Sequence, residues 1–168
     1  MPYKSNFQHA DDIIAHLNTI VPTLTDPILR VKYIGFVAVA AVTVYEMAIK
    51  SIFIDFANKK HKVLGKFTEA YFERINGRIK ITSIREEYII RFGERYLRRF
   101  DVKLGKCSSD YMRIHRRNII SSYSNLINWR NDFAHQGVIR TTATYPEVIR
   151  TYEDGKEIIR CLAETMTR

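Results

Sequence analysis

Residues 33–45 read YIGFVAVAAVTVY, a run of thirteen residues without a charge between Lys32 and Glu46. The run is too short to cross a membrane, because a transmembrane helix needs about 20 predominantly apolar residues. A helix that is apolar on all sides is instead buried in a protein core or in an oligomer interface. The stretch therefore predicts the buried middle of a long soluble helix.

The residues around this run predict where the long helix begins and ends. Asp26 and Pro27 are an N-cap residue followed by a proline in the first turn, the usual start of a helix. No breaker follows until Asn58-Lys59-Lys60, so the helix has roughly thirty residues. A helix of this length is expected to be the spine of the fold.

Hydrophobic spacing and turn residues divide the rest of the chain into further helices. We predict helices over residues 7–20, 63–75 and 83–100, and another from 109 or 110 to 134. Expected turns or loops between them are Pro22, Asn76-Gly77, Leu104-Gly105-Lys106 and Gln136-Gly137.

Two capping-box patterns, Ser83-x-x-Glu86 and Thr144-x-x-Glu147, predict that helices begin there. The segment at the second capping box, residues 138–145, is rich in β-branched side chains, which predicts a short strand or an extended loop. The helix that follows has an apolar seam spaced by three and four. Its members are Val148, Tyr152, Gly155, Ile159, Leu162 and Met166.

Length and composition fit this helical pattern. The chain has 168 residues, 46% of them hydrophobic, which is enough for one domain with a proper core, over residues 1–168. Only 7 glycines and 4 prolines are present, too few for the many turns of a β-sandwich or barrel. We predict an all-α, up-and-down bundle of about five or six helices with one long central helix.

The charge balance points to an anionic partner. Lysine and arginine number 27 against 18 acidic residues, a formal charge of +9 that attracts nucleic acid or an acidic protein, although charge also serves solubility. The two cysteines have neither disulfide-framework nor zinc spacing, and no signal-peptide pattern begins the chain. We therefore expect a cytoplasmic protein that binds neither a metal nor a membrane.

The densest group of reactive side chains lies in residues 128–137, NWRNDFAHQG, at a predicted helix C-terminus. Asn131 and His135 share a helix face, but Arg130 lies about 140° from His135 around the axis. Fraying at Gly137, or a second copy across a two-fold axis, would bring the groups together. Alternatively, Arg130 and Asp132 are surface charges and His135 caps the helix.

The RNDFAH stretch resembles the R-x4-6-H motif of the HEPN superfamily (higher eukaryotes and prokaryotes nucleotide-binding). The resemblance spans most of the chain and is nearest to the bacterial RiboL-PSP type. It implies a metal-independent endoribonuclease without a cofactor, active as a homodimer in which the two motifs share a cleft. It also implies a toxin or antiviral effector, which a partner such as an antitoxin restrains.

The resemblance assigns roles that suit these side chains. His135 would be the general base or acid, since imidazole exchanges a proton near neutrality, and Arg130 would stabilise phosphoryl charge. Asn131 would orient the phosphate or the histidine, and Glu46 and Asp132 are predicted supporting residues. Glu46 also fits a simple i,i+4 ion pair with Lys50.

A basic segment and several tyrosines add candidate RNA contacts. Residues 85–117 carry ten lysines and arginines against five acidic residues. The predicted phosphate-contacting residues are Arg91, Arg95, Arg98, Arg99, Arg116 and Arg117. Tyr88, Tyr96, Tyr111 and Tyr123 either stack on bases or belong to the core.

Two other functions fit the same sequence. One is a catalytically silent HEPN module that binds nucleic acid or a protein and supplies dimerisation. The other is a helical scaffold in which RNDFAH is a coincidence.

Overall fold

The computed structural model describes residues 2–139 and 141–167, and within them six helices have twelve or more residues. The predicted all-α bundle with one long central helix is confirmed. In chain order the helices are α1 (Gln8–Ile20), α2 (Pro27–Lys60), α3 (Lys62–Glu73), a single turn α4 (Ile81–Ser83), α5 (Glu94–His115), α6 (Ile119–Gln136) and α7 (Tyr145–Thr165).

Helix α2 is the spine that the sequence predicts. Its N-cap is Asp26, whose carboxylate accepts a hydrogen bond of 2.8 Å from the Ile28 N–H. The helix contacts α1, α3, α6 and α7. By length and composition α2 is apolar enough to span a membrane, a test that the core helix of a soluble protein also passes. In its most apolar 18-residue stretch, 61% is buried inside the protein.

Three stacked tyrosines hold α2, α6 and α7 together. The Tyr45 ring centroid lies 5.4 Å from that of Tyr123 and 5.8 Å from that of Tyr152, and all three rings are fully buried. The Tyr45 hydroxyl donates to the Tyr152 carbonyl, and the Tyr123 hydroxyl donates to the Ile79 carbonyl. Burial raises the pKa of Tyr45 and Tyr123 well above the ordinary value. These rings are core residues and are not exposed to bases.

The predicted helix over residues 83–100 is wrong. After α4 the chain makes a π-helical turn, Ile84–Tyr88, and a 3-10 turn, Ile89–Phe92, and Gly93 then breaks the path with φ +113. Ser83 makes no side-chain cap, so the first capping box is absent. Packing against α2 overrides the local pattern, because the Phe92 ring stacks on the buried Phe53 ring at 5.4 Å.

The predicted loop at Leu104-Gly105-Lys106 is also wrong, because α5 runs through it. Phe100 and Leu104 are buried where α5 packs on α7, which outweighs the roughly 1 kcal/mol cost of a helical glycine. The single helix predicted from residue 109 or 110 is instead two helices. Arg116, in the left-handed region at φ +56, ends α5, and the Asn118 side chain caps α6.

The start and the apolar seam of the last helix follow the prediction. Residues 138, 139 and 141–144 have no regular secondary structure, so the described part of this segment contains no strand, and residue 140 lies outside the described residues. Glu147 closes the predicted capping box at the start of α7, accepting from the Thr144 N–H at 2.6 Å and hydroxyl at 2.8 Å. These bonds lower the pKa of Glu147. The whole predicted seam of α7 is buried.

Candidate active site

Phe133 fixes the C-terminal end of α6 against α2. Its ring lies where Gly35 has no side chain, since a Cβ built there would be 2.3 Å from the Phe133 Cδ2. The Phe36 ring meets it edge-on, with centroids 5.3 Å apart. The RNDFAH residues are therefore held at a defined place beside the N-terminal part of α2.

Arg130 is half-buried, and its guanidinium lies against the turn that follows α3. The contact is with Gly77, which has φ +72, a conformation that favours glycine. A Cβ at this position would lie 2.6 Å from the Arg130 Nη2. Sequence reasoning identified Gly77 only as a helix stop and missed that it lies against the motif arginine.

Glu46 connects α2 to the same turn. Its Oε2 accepts a 2.8 Å hydrogen bond from the Gly77 N–H, and its Oε1 pairs with Lys50 at 2.8 Å. The predicted i,i+4 ion pair is therefore present. Among the described residues Glu46 makes no ion pair with Arg130 or His135, and it reaches the arginine only through Gly77.

The other motif side chains face outward. His135 is exposed, Asn131 and Asp132 are half-buried, and the described part of the chain gives none of the three a side-chain hydrogen bond or ion pair. Helix α6 stays regular to Gln136, and the cap is the Gly137 N–H, which donates to the Phe133 carbonyl at 2.9 Å. Neither fraying nor capping by His135 is found, so one chain does not bring Arg130 and His135 together.

The predicted phosphate-contacting arginines do not form a single row. Arg95 and Arg98 are exposed on α5, where Arg98 pairs loosely with Glu94 at 3.6 Å, and Arg99 is half-buried. Arg91 lies before the Gly93 break, with its guanidinium 5.1 Å from the Tyr71 ring centroid. Arg116 is exposed at the end of α5.

Arg117 has a structural partner. Its guanidinium donates to both carboxylate oxygens of Asp154, at 2.7 and 2.9 Å, and Asp154 is fully buried. The Tyr111 and Ser122 hydroxyls also donate to this carboxylate, at 2.6 and 2.9 Å. The bonded carboxylate raises the pKa of Arg117. The group ties the α5–α6 junction to α7.

Comparison with known families agrees with the predicted family. Residues 5–168 match the model of the RiboL-PSP-HEPN family. Since the match covers almost the entire chain, the protein belongs to this family, and the resemblance inferred from RNDFAH is confirmed. No curated protein and no solved structure matches the chain.

The Gly77 contact leads to a stability prediction. We expect Gly77→Ala to destabilise the protein more than Gly137→Ala. Both glycines have a left-handed backbone conformation, which costs a non-glycine residue about 1–2 kcal/mol. Only at Gly77 would the added Cβ also clash with the Arg130 side chain. Urea unfolding of the two variants measures the difference. Equal losses would show that the arginine moves aside without cost.

Proposed function

We propose that the protein is a metal-independent endoribonuclease of the HEPN type that acts as a homodimer. The observation that carries the proposal is that polar side chains of the motif at the end of α6 have no partner within the described chain. Arg130 lies against Gly77, while Asn131 and His135 have no side-chain partner in the described chain. Polar side chains without a protein partner are available to a substrate.

The proposed reaction is an internal transesterification of RNA. One His135 removes the proton from a ribose 2′-OH, whose oxygen attacks the adjacent phosphorus, and the bond to the 5′-oxygen breaks. A second His135, from the other subunit, donates a proton to that leaving oxygen. Arg130 stabilises the negative charge on the phosphoryl oxygens, and Asn131 orients the phosphate. The products are a 2′,3′-cyclic phosphate and a 5′-hydroxyl.

An exposed stripe on α2 supports the dimer. Phe36, Val39 and Met47 are solvent-exposed at 48%, 36% and 44%, at spacings that place them on one side of the helix. Large exposed apolar side chains in a row are typical of interaction surfaces. Phe36 also contacts Phe133 of the motif helix. A second copy bound to this stripe would place its own RNDFAH residues near the first set.

The dimer proposal predicts the effect of charge on the α2 stripe. We expect Val39→Asp to convert a dimer to a monomer and to remove RNA cleavage, because it would bury a carboxylate without a partner. Val102→Asp is the control, since Val102 is 73% exposed on α5. Light scattering coupled to gel filtration measures the mass. An active wild-type monomer would refute the dimer.

Exposed arginines and the positive net charge suggest how the protein binds RNA and what restrains it. In this proposal the RNA backbone is contacted by the exposed Arg95, Arg98 and Arg116. Arg117 is not among them, because its guanidinium is bound to Asp154. We propose a cytoplasmic toxin or antiviral effector, without a bound metal, cofactor or membrane, that an acidic protein such as an antitoxin restrains. The +9 charge suits both RNA and such a partner.

The test is cleavage of total RNA and transfer RNA by the purified protein in EDTA, with DNA of matched length as the control. We expect RNA to be cut and DNA to remain intact, since DNA lacks the 2′-OH. Salt-dependent RNA binding without cleavage would instead support the catalytically silent binding module.

A further inference from the structure

A cavity of about 390 Å³ lies between the C-terminal end of α2, helix α3 and the turns before Gly93. It shares no lining residue with the RNDFAH motif. Its volume lies within the range of small-molecule sites, which are mostly apolar with a few polar groups. Gly65 allows the two helices to approach here, because a Cβ on it would lie 1.8 Å from the Asn58 side-chain oxygen.

Aromatic rings form most of the cavity wall. The Phe56 ring centroid lies 5.5 Å from that of Phe92 and 5.1 Å from that of Tyr96. Phe67 is 72% exposed and stands on the rim. Such faces bind flat rings by offset or edge-on stacking.

Two cations line the same cavity, and no carboxylate among the described residues does. The Lys60 Nζ lies 5.3 Å from the Phe56 ring centroid, and the Arg91 Cζ lies 5.1 Å from that of Tyr71. Neither cation has an ion pair with a described residue. The Arg91 Nε donates to the Glu87 carbonyl at 2.7 Å, so the cavity combines aromatic walls with two cations that no described carboxylate neutralises through an ion pair.

Thr68 adds a polar group to the wall. The residue is only 4% exposed, and the described residues give its hydroxyl no hydrogen-bond partner. Thr68 is one of the residues that line the cavity. It is available to a polar atom of a ligand.

We propose that this cavity binds a flat aromatic ring that carries an anionic group. The ring lies among Phe56, Phe67 and Tyr96, and the anion meets Lys60 and Arg91. A free aromatic acid and an unpaired nucleotide of RNA both have this chemistry. The inference does not depend on the ribonuclease proposal, because it concerns binding at a separate site.

Isothermal titration of the wild-type protein tests the proposal with four probes. They are 2-naphthoate, adenosine 5′-monophosphate, the uncharged 2-naphthylmethanol and inorganic phosphate. We expect at least one ring-bearing anion to bind, the uncharged ring to bind at least about threefold more weakly, and phosphate not to bind. Tighter binding of the nucleotide would indicate a nucleotide, free or within RNA, and tighter binding of naphthoate would indicate a free aromatic acid.

Variants locate the binding. We expect Phe67→Ala, Arg91→Gln and Lys60→Gln each to weaken it about three- to tenfold. Lys62→Gln is the matched control, because Lys62 is exposed near the cavity but does not line it. The proposal is overturned if neither anion binds at millimolar concentration, or if Lys62→Gln has the same effect as the lining variants. Because the probes contain no cleavable phosphodiester, failure here is distinct from failure of the ribonuclease proposal.

Discussion

We expect His135→Ala and Arg130→Ala each to reduce RNA cleavage by at least about a hundredfold. The histidine variant removes the group that moves protons between the 2′-OH and the leaving 5′-oxygen. The arginine variant removes the positive charge that stabilises the phosphoryl oxygens. Initial cleavage rates on transfer RNA measure both effects.

A second histidine provides the control for this pair. His115 lies in the last turn of α5, as His135 lies in the last turn of α6, and both are exposed. We expect His115→Ala to cut RNA at the wild-type rate. Wild-type rates in His135→Ala and Arg130→Ala, with fold and mass unchanged, would remove RNDFAH from the mechanism.

Asp154→Ala should cause the largest loss of stability of any single change considered. The fully buried carboxylate accepts hydrogen bonds from Tyr111, Arg117 and Ser122, and its removal leaves all three donors without their partner. Arg117 is 38% exposed and can be solvated once the carboxylate is gone, so the cost comes mainly from the lost hydrogen bonds to a charged acceptor, about 1.5–3 kcal/mol each before solvent replaces them. Urea unfolding followed by circular dichroism measures the loss.

An exposed ion pair serves as the comparison for Asp154. Asp110 accepts from Arg113 at 3.2 Å on the surface of α5, and Asp110→Ala is expected to cost less than about 1 kcal/mol. Combining Asp154→Ala with Arg117→Ala should cost less than the two single losses added together, because the residues act as a pair. Additive losses would show that they stabilise the fold independently.

The sequence predicts the elements whose signals are local. Helix α2 has its cap at Asp26, and α7 has its capping box at Thr144 and Glu147, within a few residues of where each helix begins. Residues 84–92 could not be predicted in this way. Phe92 stacks on Phe53, 39 positions earlier in the chain, and that long-range contact sets a path that no local pattern contains.

The candidate site also has a part that the sequence predicts and a part that depends on long-range contacts. Arg130, Asn131 and His135 are found from spacing and resemblance, because they lie within six consecutive residues. The approach of Gly77 to Arg130 and the hydrogen bond from Gly77 to Glu46 join distant parts of the chain, so no local pattern predicts them. Arg117 has the same charge as its neighbours, so only the position of Asp154 distinguishes it from a surface arginine.

The most direct test of the central claim is the chemistry of the fragment ends. RNA is cut by the wild-type protein in EDTA, and the products are analysed by mass spectrometry beside those from His135→Ala. We expect 2′,3′-cyclic phosphate and 5′-hydroxyl ends with the wild type and no new ends with the variant. Ends with a 3′-hydroxyl and a 5′-phosphate, or cleavage that occurs only with a divalent metal, would contradict it.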